Sequence, residues 1–159
     1  MAEKSLVLFY SWSGNTRRIA NSIAQKTGAD LFELQPATPY PSDYNTVVAQ
    51  AKKEIQNKYE PPLQPVSIDW NSYDMIYLGT PNWWSTMAPP LYAFLREVMP
   101  TDKTIAPFCT HGGGGDGHIA KDIAQLCIGC DVLPLLCLPE HNRREDQGID
   151  AWLKQIGQL

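Results

Sequence analysis

The sequence predicts an α/β domain, a mostly parallel sheet with helices on both faces. Three observations predict it. Five strand-like runs alternate with segments of helical periodicity along the chain. The first run, residues 4–10, is apolar without a break from Leu6 to Tyr10, as a strand covered on both sides should be. The 159 residues suit one domain and can bury a full core, so residues 1–159 are read as a single domain.

The elements follow in order. After the first strand, residues 15–27 carry Ile19, Ala20, Ile23 and Ala24 on one helical face, and Gly28 stops the helix. Residues 30–35 form a shorter, more polar strand suited to a sheet edge, with Pro36, Pro39 and Pro41 punctuating its exit. Residues 43–57 place Val47, Val48, Ala51 and Ile55 at helical spacing. Residues 58–72 are a Pro-rich connection, long for a compact domain, expected to wrap over the surface. Residues 73–79 are the third strand, Leu91, Phe94, Leu95 and Val98 mark a helix, and residues 103–110 are the fourth strand. Ile119, Ile123, Leu126 and Cys127 mark the next helix. Residues 132–138 are the fifth strand, where Pro134 favours an edge or a bulge. Ile149, Trp152, Leu153 and Ile156 mark a closing helix.

Composition narrows the function classes. Hydrophobic residues make up 43% and charged residues 19%, ordinary for a globular protein. No stretch approaches a membrane span, and Met-Ala-Glu-Lys-Ser lacks the features of a signal peptide, so the expected compartment is the cytoplasm. A net charge of -4 argues against a nucleic-acid binder and is compatible with a partner carrying a basic patch. Cys127-Ile-Gly-Cys130 spells C-x-x-C but closes a helix; redox pairs of this spacing open one. Of Cys109, Cys127, Cys130 and Cys137, three lie in apolar surroundings, which suits free buried thiols. A zinc site would have to recruit Cys137 and His141, and no metal is expected.

In a parallel sheet, ligands sit outside the carboxyl ends of the strands, where the strand order switches. The loops to weigh are therefore 11–16, 80–87 and 111–118. The first, Ser11-Trp12-Ser13-Gly14-Asn15-Thr16, surrounds one glycine with small donors and runs into a helix N-terminus, which favours an anion. An ordinary N-cap needs only one such residue. Arg17 and Arg18 oppose the helix dipole at roughly 0.3–1 kcal/mol each. A bound phosphate would offset that; the alternative is that both point to solvent. The nucleoside-triphosphate loop signature is absent.

This loop resembles the phosphate loop of the flavodoxin family, of the form [ST]-x-[ST]-G-x-T. The resemblance covers essentially the whole chain. It implies a flavodoxin-like three-layer sandwich, a five-stranded parallel sheet of order 2-1-3-4-5, and FMN as cofactor. Ser11, Ser13, Gly14, Asn15 and Thr16 would hold its phosphate, and Trp12, inside the same loop, would partly cover the ring. In the family, the loop after the third strand lines the isoalloxazine ring. Here it reads Thr80-Pro81-Asn82-Trp83-Trp84, with Asn82 and Trp83 the expected ring contacts and Trp84 expected in the core or an interface. The loop after the fourth strand meets the pyrimidine end, and His111, Gly112, Gly113, Gly114 and Gly117 are assigned to it. The backbone N–H groups of such a glycine run would stabilise charge on the reduced ring. His111 and His118 could tune the flavin or carry a proton near neutral pH, against a default structural role. The same run reads G-x-G-x-x-G with Glu140 about 20 residues on, but a dinucleotide fold needs more than the single strand that follows.

The function implied is electron transfer through bound FMN, passed to a redox partner protein or a small electron acceptor, with no catalytic side chain required. The family's electron carriers usually present an aromatic after the fourth strand and are more acidic. Residues 111–118 contain no Phe, Tyr or Trp. An open flavin face would admit a small substrate, so the alternative is an FMN-dependent NAD(P)H:quinone oxidoreductase. A binding module without redox work is a third class, and serine hydrolysis lacks its G-x-S-x-G elbow.

Overall fold

The computed structural model describes residues 4–140 and 143–159. Five parallel positions make the sheet, built from β1 (Ser5–Phe9), β2 (Asp30–Glu33), β3 (Met75–Pro81), β4 (Thr101–His111), β5 (Gly129–Val132) and β6 (Leu136–Pro139). The order is β2-β1-β3-β4-β5, and β6 also pairs with β4. The helices are α1 (Asn15–Thr27), α2 (Tyr44–Gln56), α3 (Pro89–Val98), α4 (Ile119–Leu126) and α5 (Glu145–Gln155).

Alternation along β1 decides the layers, because successive side chains leave a strand on opposite faces. Leu6, Leu8 and Tyr10 join a core with Leu91, Phe94 and Leu95 of α3 and Ile119 and Ile123 of α4. Val7 and Phe9 join the opposite core, with Ile19, Ala20 and Ile23 of α1 and Ile149, Trp152 and Leu153 of α5. Both faces are covered, which is why the run carries no polar position.

The expected fifth strand, 132–138, is corrected. Two short segments occupy that position: β5 pairs with Thr101–Ile105 of β4, and β6 pairs with Phe108–His111. Pro134 lies between them, has no N–H to offer a ladder, and its carbonyl accepts the Trp152 indole N–H at 2.8 Å. Eleven residues of β4 are long enough to take both segments.

The Pro-rich connection wraps as expected, but with structure of its own. Its Leu63 bridges antiparallel to Pro36, and Trp70–Ser72 form a 3-10 turn. Lys103 of β4, a buried residue, pins that turn by donating Nζ to Trp70 O at 3.0 Å and Tyr73 O at 2.6 Å. Lys103→Met is expected to leave these carbonyls without that donor and to destabilise the fold by about 1–3 kcal/mol, read by thermal unfolding; an unchanged midpoint would refute the anchor.

Candidate functional site

Three loops converge at the carboxyl end of the sheet. In the first, Gly14 takes the left-handed conformation (φ 96°) as N-cap of α1, with no side chain capping the helix and no acidic residue in its first turn. Such an end leaves its first N–H groups free for an anion. The buried Ser11 accepts from Gly14 N at 3.1 Å, and Ser13 accepts from Asn15 Nδ2 at 3.0 Å. Thr16 is buried, and its hydroxyl meets Thr110 at 2.8 Å. That bond ties the first loop to the end of β4.

The two arginines follow neither expectation alone. Arg17 forms a pair with Glu33, donating Nε to Oε1 at 2.8 Å, and Arg18 donates Nε to Glu145 Oε2 at 3.0 Å and Nη1 to Asn15 Oδ1 at 2.8 Å. Both remain exposed, so carboxylates and solvent together offset their unfavourable place at the dipole's positive end. The hydrogen bond to Glu33 holds the Arg17 pKa above its usual value. Trp12 turns to the segment after β2, donating Nε1 to Pro41 O at 2.9 Å beside Tyr44. A cleft of about 500 Å³ opens there, with Ser11, Trp12, Ser13, Arg17 and Tyr40 in its lining. Burial and a hydrogen bond to Glu54 keep the Tyr40 phenol protonated.

The second loop is a tight turn. Trp83 and Thr86 exchange both backbone hydrogen bonds, at 3.0 and 3.2 Å, and the residues between them, Trp84 and Ser85, have φ of 55° and 70°. Two consecutive positive φ angles define a I′ turn, normally built from Asn and Gly. Here side-chain-bearing residues adopt it, a strained choice of the sort found at functional sites. Trp83 packs edge-on against Tyr40 at 5.0 Å and Tyr10 at 5.7 Å. Trp84 is not in the core: it is 47% exposed, and its indole donates to Val48 O at 3.0 Å with the Lys52 ammonium 5.1 Å from its ring. Thr80 is fully buried, its hydroxyl donating to Pro81 O and accepting from Ala88 N.

Asn82 clamps the second loop to the third. Its N–H donates to Thr110 O at 2.8 Å. Its side chain donates to Gly115 O at 2.7 Å and accepts from Ser85 N at 2.8 Å. Ser85 O in turn accepts from His118 N at 2.8 Å. Within the third loop, Gly113, Gly115 and Gly117 all have positive φ, and a side chain at Gly113 or Gly115 would meet open space. His111 Nδ1 accepts from Gly113 N at 3.0 Å. Gly112 and Gly114 border Glu140 and Asn82 respectively. The residues assigned from sequence thus lie in the three loops, the strand ends that feed them and, for Asn15 and Thr16, the first turn of α1. The sequence reading missed Asp122, which accepts from the Thr86 hydroxyl and lies within hydrogen-bond distance of His118 Nδ1. The only signal for it was its spacing four residues after His118, one turn along the helix.

All four cysteines are free. Cys127 caps the end of α4, and burial, then Cys130, pushes its thiol up to about 12, the reverse of a reactive pair. Among the described residues no group of three His, Cys, Asp or Glu is placed to hold a metal; His141 lies outside them. Among the same residues no helix is long and apolar enough to cross a membrane.

The flavodoxin family model matches residues 4–156. No curated protein sequence matches the chain. Among solved structures, a protein of Bacteroides eggerthii DSM 20697 provisionally classed as a flavoprotein is similar with TM-score 0.85 and 27% identity, over 98% of each chain. A flavoprotein of Lactobacillus acidophilus NCFM in complex with FMN is similar with TM-score 0.77 and 28% identity, over 95% of this chain and 99% of that one. A flavodoxin of Fusobacterium nucleatum bound to flavin mononucleotide shares the fold at 14% identity and TM-score 0.62, over 98% and 97%.

Proposed function

The chain belongs to the flavodoxin family, and on that premise we propose that it binds FMN and works as an electron carrier. The observation that carries this reading is the joining of three loops at one end of the sheet by the Thr16–Thr110, Asn82–Gly115 and Ser85–His118 hydrogen bonds. The donor set suits the cofactor. Ser11, Ser13 and the free N–H groups of the first turn of α1, around Gly14, Asn15 and Thr16, would hold the phosphate, with Trp12 closing the cup's outer side. Thr80 and Pro81 shape the second loop, while Asn82, Trp83 and Trp84 border the ring. Gly112, Gly114 and Gly117 present backbone N–H groups to its polar edge, where fixed donors favour negative charge, and His111 and Gly113 flank them, the Gly113 N–H being held by His111 Nδ1.

FMN, when bound, supplies reversible one- and two-electron chemistry, and the protein positions it and sets its potential. Electron transfer of this kind needs no catalytic side chain. The net charge of -4 suits a redox partner with a basic patch, and the proposed compartment is the cytoplasm. One observation favours a second reading, an NAD(P)H:quinone oxidoreductase: residues 111–118 contain no Phe, Tyr or Trp that could stack on a flavin face.

An absorption spectrum of the purified protein with FMN, followed by NADH or NADPH, tests both. The carrier reading expects a bound flavin that bleaches with dithionite and not with nicotinamide. Bleaching by nicotinamide would establish the reductase instead, and no flavin binding would refute both.

A further inference from the structure

Asp122 belongs to none of the three loops, yet two of them meet on it. It stands in the first turn of α4, where a carboxylate complements the helix dipole. Its Oδ2 lies 2.5 Å from Thr86 Oγ1 and 2.5 Å from His118 Nδ1. An ionised carboxylate only accepts, so Thr86 must donate to it, and the Thr86 oxygen is left to accept from Tyr92 OH at 2.7 Å. His118 Nδ1 meets the same carboxylate oxygen from the other loop. Burial, with the Asp122 charge adding to it, keeps the Tyr92 phenol protonated.

The turn from Trp83 to Thr86 needs such support. Its two central residues sit at positive φ without being glycine, a conformation that persists only where the surroundings over-determine it. Thr86 closes the turn through its backbone on both sides and is 2% exposed, so its hydroxyl is the buried handle by which the turn is held. Hydrogen bonds to a carboxylate are the stronger ones, and Asp122 supplies the carboxylate of this set.

We propose that Asp122 is a positioning residue for the ring-bordering turn, fixing Trp83–Thr86 to the N-terminus of α4 through the Thr86 hydroxyl while orienting His118. The proposal rests on the FMN reading of the site. It separates two tasks: the 11–16 cup handles the phosphate, and Asp122 governs only the loops that border the ring.

Titration of the flavin-free protein with FMN and with riboflavin, followed by flavin fluorescence, tests this. Asp122→Ala is expected to raise both dissociation constants about tenfold, leave their ratio unchanged because the phosphate cup is untouched, and shift the flavin midpoint potential. Thr86→Val is expected to do the same, and carries the test if Asp122→Ala does not fold. Asp122→Asn, which keeps an oxygen for the Thr86 hydroxyl, is expected to recover most of the affinity. A lowered melting temperature with unchanged flavin affinity would overturn the proposal, since a carboxylate serving only the helix dipole predicts that. A loss confined to FMN would also overturn it, by placing the effect on the phosphate. Failure of the unsubstituted protein to bind either flavin would instead bring down the cofactor reading, and this proposal with it.

Discussion

Replacing Gly79 by alanine is expected to lower the melting temperature by about 6–12 °C. The reason is steric. A Cβ at Gly79 would fall 2.2 Å from Cζ of Phe108 and within 2.9 Å of two more ring carbons. The two residues are register partners on β3 and β4, and the Phe108 ring, fully buried, lies across the space that glycine leaves. The ring cannot swing away, because it is packed in the core with Phe9, Tyr77 and Trp152. Forcing a methyl group into a filled interior costs about 1–3 kcal/mol, sometimes more. At about 3 kcal/mol, a domain of this size loses roughly 2–4 °C per kcal/mol. Thermal unfolding by circular dichroism reads it. Phe108→Leu in the same background should restore part of the loss by vacating the ring's edge; no restoration would mean the strain lies elsewhere.

Gly117→Ala is expected to weaken FMN binding about 100-fold, a change of about 2.7 kcal/mol, with less effect on the melting temperature than Gly79→Ala. At φ 53° alanine is already strained, and its Cβ would lie 2.4 Å from Ser85 O and 2.6 Å from Ser85 Cα. These are backbone atoms with little room to yield. Ser85 N is held by Asn82 and Ser85 O by His118 N. The second and third loops must therefore separate, and both border the proposed ring site. Gly115→Ala is the control: φ is 72°, but a side chain there meets nothing within 4 Å. It carries the backbone penalty of about 1–2 kcal/mol alone. Fluorescence titration of the two variants should differ by about tenfold or more. Equal losses would mean that conformational strain, rather than the contact between loops, governs the site.

Local signals were legible from the chain. α1 occupies residues 15–27 as expected because both ends are set by glycines in the left-handed conformation, Gly14 at 96° and Gly28 at 74°. The unbroken apolar run of β1 marked a strand covered on both faces, and the polar, short β2 marked the sheet edge. The convergence of loops 11–16, 80–87 and 111–118 followed from the alternation of strands and helices, since a parallel sheet puts all such loops at one end. The split of the fifth strand was half visible. Pro134 announced a defect, but the two-part partner surface of β4 could not be read from residues 132–138.

What the sequence by itself determined is the layered α/β fold, the position of the three loops and their donor chemistry, because these depend on periodicity, on glycine and proline, and on which residue types sit next to one another. What only the tertiary structure decided is how the loops are held. Arg17 meets Glu33 16 residues away and Arg18 meets Glu145 127 away. Thr16 meets Thr110 across 94 residues, and Asn82 meets Gly115 across 33. The exposure of Trp84 and the grip of Asp122 on Thr86 belong to the same class. A hydrogen bond reaches about 3 Å and carries no periodicity, so a partner remote in sequence leaves no mark in the pattern and is specified only when the sheet brings the strand ends together.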